Sequence, residues 1–428
     1  MSTQKYVESI TNPVYSPSFL LRDNPIKQAQ GDSFRSFSPE AMNELPLSDR
    51  ILFESFGQGE RIKPTYQFIH HAFEYYAKHH PDSTAIEHLD EHITYAELNY
   101  RAELLAKKLY AMGIRQGDNV GLFITRSIGM VVGILATLKL GAAYVPQHLG
   151  VATTIQLKHI IKVADLKVIL TLSSLSDVLP HEHQCKVVYA DQHIDACLYQ
   201  HIYIPDIKYH DELLCFILFT SGTTGVPNGV KVAHKNLCNI ILTPPGNLAI
   251  KQGQRVAQIL NIAFDMAAWE VFSALCHGAT LCIRGKQITD ISPDVDTIIA
   301  TPSILSRLVP SQFPKLLSVA VAGEPCPKST AELWAKHCRF YNSCGPTETT
   351  IVNTMQHYCS STAQLTIGAP TPNNTVYILN EALKPCRIGE QGMMWAGGAC
   401  VTSGYLHHDE LTQERYRPDP FLGSDKKM

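Results

Sequence analysis

From Tyr66 onward the sequence alternates between segments with helical spacing of apolar residues and short apolar runs. No other feature constrains the fold as tightly. FIHHAFEYYAKHH predicts a helix stopped by Pro81, and ITYAELNYRAELLAKKLYAMG a helix ended by Gly113, before the strand NVGLFI. A helix over 130–138, the strand AAYVP, a helix over 155–163 and the strand KVILTL follow. A second set opens with LLCFILFTS and continues through QILNIAF, ATLCIRG, DTIIATP, LLSVAVAG and RFYNSCG. Alternation at this spacing implies βαβ units and parallel-rich sheets covered by helices on both faces. The expected fold is α/β, with two βαβ-type subdomains over about 61–210 and 211–367. After Gly368 the helices give way to NTVYILNEAL and GMMWAGGACVTSGYL, so 368–428 should form a smaller β-rich subdomain. Residues 1–60 are polar, proline-bearing and weakly periodic, the pattern of a leader or linker.

Composition narrows the function classes. A chain of 428 residues needs more than one simple core. A net charge of −3 gives no electrostatic case for nucleic acid or for an anionic membrane surface. The 12 cysteines never form a C-x-x-C pair, which argues against zinc ribbons and thioredoxin-type sites and fits free thiols in a reducing compartment. The N-terminus lacks the apolar core of a signal peptide. Lys139 interrupts the most apolar run, IGMVVGILATLKLGAAYV, which therefore predicts a buried helix running into a strand. A cytoplasmic protein with no membrane and no nucleic-acid partner is expected. His181, Glu182, His183 and Cys185 match no common metal-ligand spacing and predict a solvated loop. His70, His71, His79 and His80 are likewise assigned to solvent.

The chemistry is concentrated in FTSGTTGVPNGV, directly after the apolar run LLCFILF. A glycine-rich turn after a strand exposes backbone N–H groups to phosphate oxygens, and its hydroxyls add donors. A surface turn would explain the stretch equally well were it alone, and no G-x-x-x-x-G-K-[ST] occurs. Downstream, however, come FDMAAWE, VAGEPCP, YNSCGPTETT and GYL, in that order.

Together these segments resemble the adenylate-forming (AMP-binding) superfamily, most closely the amino-acid adenylation domains of nonribosomal peptide synthetases. The resemblance begins near Leu45, where LSDRILFESF looks like the linker before such domains, and takes in ITYAELN, LKLGAAYVP and ERYRPDPF. It covers the large N-terminal region of that fold. It implies a ligase in which a carboxylate attacks the α-phosphate of ATP, releasing pyrophosphate and leaving an acyl-adenylate. The protein's part is to position the groups and offset charge.

By that resemblance Thr220, Ser221, Gly222, Thr223, Thr224 and Gly225 would hold the β- and γ-phosphates. Thr347 would contact the α-phosphate and Glu348 would hold Mg²⁺, a cation that prefers hard oxygen ligands. Gly323, Glu324, Pro325, Asn342 and Cys344 would surround the adenine. Asp265 would receive the ammonium of an α-amino acid, although a lone Asp before an apolar run is more often a helix N-cap. Met266, Trp269, Ile299, Ala320, Ala322, Ser343, Ile351 and Val352 would line the side-chain pocket. With no second charge and one hydroxyl, that pocket disfavours charged side chains and favours an apolar or aromatic one.

Three departures from the family pattern stand out. Asn228 replaces the usual lysine of the phosphate loop, and Cys344 replaces the aromatic that stacks on adenine. The small C-terminal domain, with its lysine and its part in loading a carrier protein, is expected to be missing. An acyl- or aryl-CoA-ligase-like enzyme and a catalytically weak nucleotide-binding module stay open as alternatives.

Overall fold

The computed structural model describes residues 37–180, 184–221, 226–359, 361 and 364–428. The apolar runs form strands buried on both faces: every residue of Ala143–Gln147, Val168–Thr171, Thr280–Ile283, Thr297–Ala300 and Ser318–Val321 is buried. Such strands need helices on either side. They build two sheets. The six-stranded sheet runs Lys186–Tyr189, Val168–Thr171, Asn119–Phe123, Ala143–Gln147, Leu214–Ser221, Pro227–Ala233, parallel except for the last, antiparallel pair. The nine-stranded sheet runs Ala369–Pro370, Thr354–Tyr358, Arg339–Cys344, Ser318–Val321, Thr297–Ala300, Arg255–Gln258, Thr280–Ile283, Thr84–His88, Glu91–Thr94. Its six central strands are parallel and both edges antiparallel.

Sheet membership does not follow a division at 210/211. Leu214–Ser221 and Pro227–Ala233 complete the first sheet, whereas the early hairpin Thr84–Thr94 extends the second. Long-range contacts fix that hairpin. Ile86 sits opposite Leu281 in parallel register, the Thr280 hydroxyl donates to Thr84 O (2.8 Å), and Arg255 pairs with Glu87. The buried Tyr95 hydroxyl donates to Ala279 O (2.7 Å). The strand expected over QILNIAF ends at Gln258 instead, because the N–H groups of Ile259 and Leu260 leave the ladder for the Glu270 carboxylate (2.8 and 3.2 Å).

The β-rich part pairs Asn374–Leu379 with Met393–Gly398 and Pro418–Asp419 with Gly423–Lys427. Residues 37–60, expected as linker, contribute to its core: Phe37, Met42, Leu45 and Phe53 are buried with Tyr377, Leu379 and Phe421. The Phe53 and Tyr377 rings stack at 5.9 Å. His70, expected in solvent, is buried on the helix Ile69–His79. His181, Glu182 and His183 lie outside the described residues, and Cys185, partly buried, donates its thiol to Leu166 O (2.9 Å). Among the described residues no helix is long and apolar enough to cross a membrane.

Candidate active site

The strands Leu214–Ser221 and Pro227–Ala233 form a hairpin, with Thr220 opposite Asn228 and Ser221 opposite Pro227. Gly222, Thr223, Thr224 and Gly225 lie outside the described residues. The GYL segment lays itself along the outer strand of this hairpin. Lys231 N–H donates to Gly404 O, Ser403 N–H to Lys231 O, and Leu406 N–H to Gly229 O (2.7 Å). Thr220, Asn228, Glu348, Asn353 and Tyr405 thereby come to line one cavity of about 530 Å³. Two motifs separated by more than a hundred residues thus share a cavity of mixed polar and apolar lining, which is the size of a small-molecule site.

The YNSCGPTETT segment is sharply bent. Gly345 sits where an added Cβ would fall 2.6 Å from Val352 Cα and 2.9 Å from Ile351 O, so only glycine lets the two backbone stretches pass. Thr350 and Ile351 take φ of +54° and +71°. Val352 N–H donates to Thr350 O (2.9 Å), closing a γ-turn centred on a β-branched residue. Such conformations cost about 1–3 kcal/mol each and persist where surrounding structure holds them. Here the turn brings Ile351 N–H to the Asp265 carboxylate.

Asp265 precedes the helix Met266–Leu275 without capping it. Burial pushes its carboxyl up to about 6, against the pull of the Thr347 hydroxyl and the Met266 and Ile351 N–H groups. The segment before it is anchored by Glu270. That carboxylate is fully buried, accepts from Ile259 N–H, Leu260 N–H and Gln258 Nε2, and is raised by burial to about 8. Trp269 is fully buried and donates its indole N–H to Gly246 O (2.7 Å).

Strand alternation sorts the remaining residues. Ile299, Ala320 and Tyr341 lie in one row across the parallel sheet, and Ser343 shares the face with Tyr341 two residues on. The Ser343 hydroxyl is buried with no hydrogen-bond partner among the described residues. Ala322, Ile351 and Val352 are buried, the last two flanking Gly345. Asn342 and Cys344 take the opposite face. Asn342 spends one amide hydrogen on Thr366 O (2.7 Å), and burial raises the Cys344 thiol. Gly323, Glu324 and Pro325 are exposed just beyond Ser318–Val321. Glu324 accepts from Ser303 N–H (2.6 Å), and Gly323 at φ +89° would carry a Cβ 3.7 Å from Met266 Sδ. The segment expected to border adenine and the segment expected to line the pocket therefore adjoin.

Sequence reasoning missed two residues here. Tyr341 occupies the same row as Ile299 and Ala320, and period-two alternation in RFYNSC, applied from Ser343, points to it. Tyr405 reaches Glu348 through its hydroxyl (2.6 Å), a contact for which the sequence carries no local signal.

Comparison with known proteins adds the family. Residues 73–406 match the family described as AMP-binding enzyme. Adenylate-forming reductase 06235 of Coprinopsis cinerea is 43% identical over 393 residues, 91% of this chain and 38% of that protein. Nonribosomal peptide synthetase sirP of Leptosphaeria maculans is 30% identical over 384 residues, 89% of this chain and 17% of its own length. The N-terminal subdomain of Klebsiella oxytoca NpsA has the same fold, with a TM-score of 0.71 at 24% identity over 85% of this chain and 95% of that one. The chain spans about two fifths of the Coprinopsis relative.

Proposed function

The chain belongs to the AMP-binding enzyme family, an adenylate-forming group, and we propose that it activates an α-amino acid as its adenylate. The observation that carries this reading is the meeting of Asp265 and Thr347. A carboxylate at that point offers an ammonium a partner, and the adjoining hydroxyl offers a phosphate oxygen a donor. An α-amino acid carries its ammonium one carbon from the carboxylate that must reach the α-phosphorus, so the two groups suit one substrate.

In the proposed reaction a substrate carboxylate oxygen forms a bond to the α-phosphorus of ATP. The bond to the β-phosphate bridging oxygen breaks, and pyrophosphate leaves with that electron pair. Thr347 donates to the α-phosphate, while Thr220 and the segment 221–225 hold the departing phosphates. Gly323, Glu324, Pro325, Asn342 and Cys344 border the adenine. Met266, Trp269, Ile299, Ala320, Ala322, Ser343, Ile351 and Val352 shape the pocket, joined by Tyr341. An apolar or aromatic side chain fits that set, since a second buried charge would have no counter-ion.

Glu348 suits Mg²⁺. Among the described residues Tyr405 engages one of its carboxylate oxygens, and the group lines the same cavity as Thr220. When bound, the ion would offset phosphate charge; Glu348 holds it and Tyr405 orients Glu348. Likeness to a nonribosomal peptide synthetase supports a carrier protein as the acceptor of the activated acid.

ATP–pyrophosphate exchange over a panel of amino acids and their des-amino counterparts tests the proposal. Exchange stimulated by one or a few apolar or aromatic α-amino acids, and not by the amine-free acids, is expected. Stimulation by acids lacking the amine would replace it with an acyl- or aryl-activating enzyme. ATP binding without exchange from any acid would leave a nucleotide-binding module.

A further inference from the structure

The helix Ile69–His79 places His70, His71 and Glu74 on one side, at spacings that bring residues one turn apart together. One ligand atom from each, an imidazole nitrogen or a carboxylate oxygen, lies within 4.8 Å of the others. The two imidazole rings are 4.7 Å apart, centre to centre. His70 is only 2% exposed, yet its Nδ1 has no hydrogen-bond partner among the described residues. A buried polar atom left unpartnered carries an uncompensated desolvation cost and calls for a physical reason. None of these residues lines the cavity shared by Thr220 and Glu348.

We propose that His70, His71 and Glu74 form a binding site for a divalent transition ion of the zinc class. Two imidazoles and one carboxylate are a donor set that zinc and its neighbours accept, with positions left for water. His71 and Glu74 are partly exposed, which gives the ion a route from solvent.

The surrounding charges set the affinity. Lys139 hydrogen-bonds Glu74 and stands 3.7 Å from Glu103, so one ammonium faces two carboxylates and the ion adds to a negative local balance. Glu74 keeps a second oxygen. His234 packs 5.7 Å from the His70 ring but stands outside the donor set. Its Nδ1 accepts Ile69 N–H (3.3 Å), which leaves the proton on Nε2. Phe68 covers the group, its ring 4.7 Å from His71 and 5.5 Å from His70.

The full chain, stripped with EDTA, is titrated with Co²⁺ while visible ligand-field absorption is followed, and with Zn²⁺ by calorimetry. Saturable binding of one ion that responds to the site variants is expected. His71→Gln and Glu74→Gln should each weaken it about ten-fold or more, as losing a ligand must do at least as much as losing its outer-shell partner. Lys139→Gln, which removes the competing ammonium, should tighten it. Circular dichroism in EDTA checks that each variant keeps the fold. No saturable binding, or affinity unchanged in folded His71→Gln and Glu74→Gln, overturns the site.

Discussion

The phenol of Tyr405 donates a 2.6 Å hydrogen bond to Oε1 of Glu348 across 57 residues of chain. Thr402 N–H donates to the Glu348 carbonyl (3.0 Å), so side chain and backbone are both tied to the same segment. Burial first, then the hydrogen bond to Glu348 and after it the Glu348 charge, raise the Tyr405 phenol well above its usual range, so it stays a donor at physiological pH. The bond fixes one carboxylate oxygen and leaves the other for a further partner.

If Glu348 holds Mg²⁺, Tyr405 acts as a positioning residue. Tyr405→Phe keeps the ring and removes only the donor. It should raise the Mg²⁺ concentration giving half-maximal pyrophosphate exchange by about ten-fold, with the KM for the acid little changed. An unaltered Mg²⁺ dependence would remove Tyr405 from the site.

Asp265 sets a pH signature for substrate binding. Its carboxyl, raised to about 6, is half protonated near that pH, and only the ionised form attracts an ammonium. Substrate affinity should therefore fall as pH drops through about 6. Asp265→Asn should lose that dependence and lower kcat/KM by about 10²–10⁴-fold, the range for removing one partner of a buried charge pair. Initial-rate profiles between pH 5 and 8 decide the matter; an Asn variant that keeps full kcat/KM sinks the ammonium assignment.

Glu270 should leave a mark on stability. Its folded value, about 8, lies above the ordinary 4.5, so the native state holds a proton that the unfolded chain has already released. This contribution is full below about 4.5 and is lost as pH rises toward 8. In Glu270→Gln the fall in Tm across that window should be shallower than in the unaltered protein. Parallel Tm profiles would mean that Glu270 titrates elsewhere.

Ser343 carries a buried hydroxyl with no hydrogen-bond partner among the described residues. Removing an unsatisfied polar group is neutral or stabilising, so Ser343→Ala should change the unfolding free energy by about 0 to +1 kcal/mol. A substrate whose side chain uses that hydroxyl should lose about ten-fold in kcat/KM, as one hydrogen bond is worth about 1 kcal/mol or more. Purely apolar substrates should be unaffected. Urea titration and the exchange panel check both parts, and marked destabilisation would show that the hydroxyl has a structural partner.

Much of the fold was legible because apolar periodicity reports which face of each segment is buried. The helices Ile69–His79, Tyr95–Ala111 and Thr154–Val163, and the strands Ala143–Gln147 and Thr297–Ala300, lie close to where spacing put them. The family was legible too, because the order of FTSGTTGVPNGV, FDMAAWE, VAGEPCP and YNSCGPTETT survives in one dimension. Strand alternation also places Ile299 and Ala320 in one row, with Ser343 on the same face.

Partnership was decided by tertiary structure. Nothing within TAIEH or EHIT says that Ile86 will lie beside Leu281, nor that Thr84–Thr94 will extend a sheet made from residues beyond 250. An edge strand exposes the same N–H and C=O groups to any neighbour, and distant side chains choose which one it meets. The same holds for Phe53 against Tyr377, for His70 drawn into the interior beside His234, and for Tyr405 on Glu348. By itself the sequence determined the elements, their buried faces and the family. Which residues from distant segments share a cavity was decided only by folding, because those contacts depend on how separate segments pack and not on the period within any one of them.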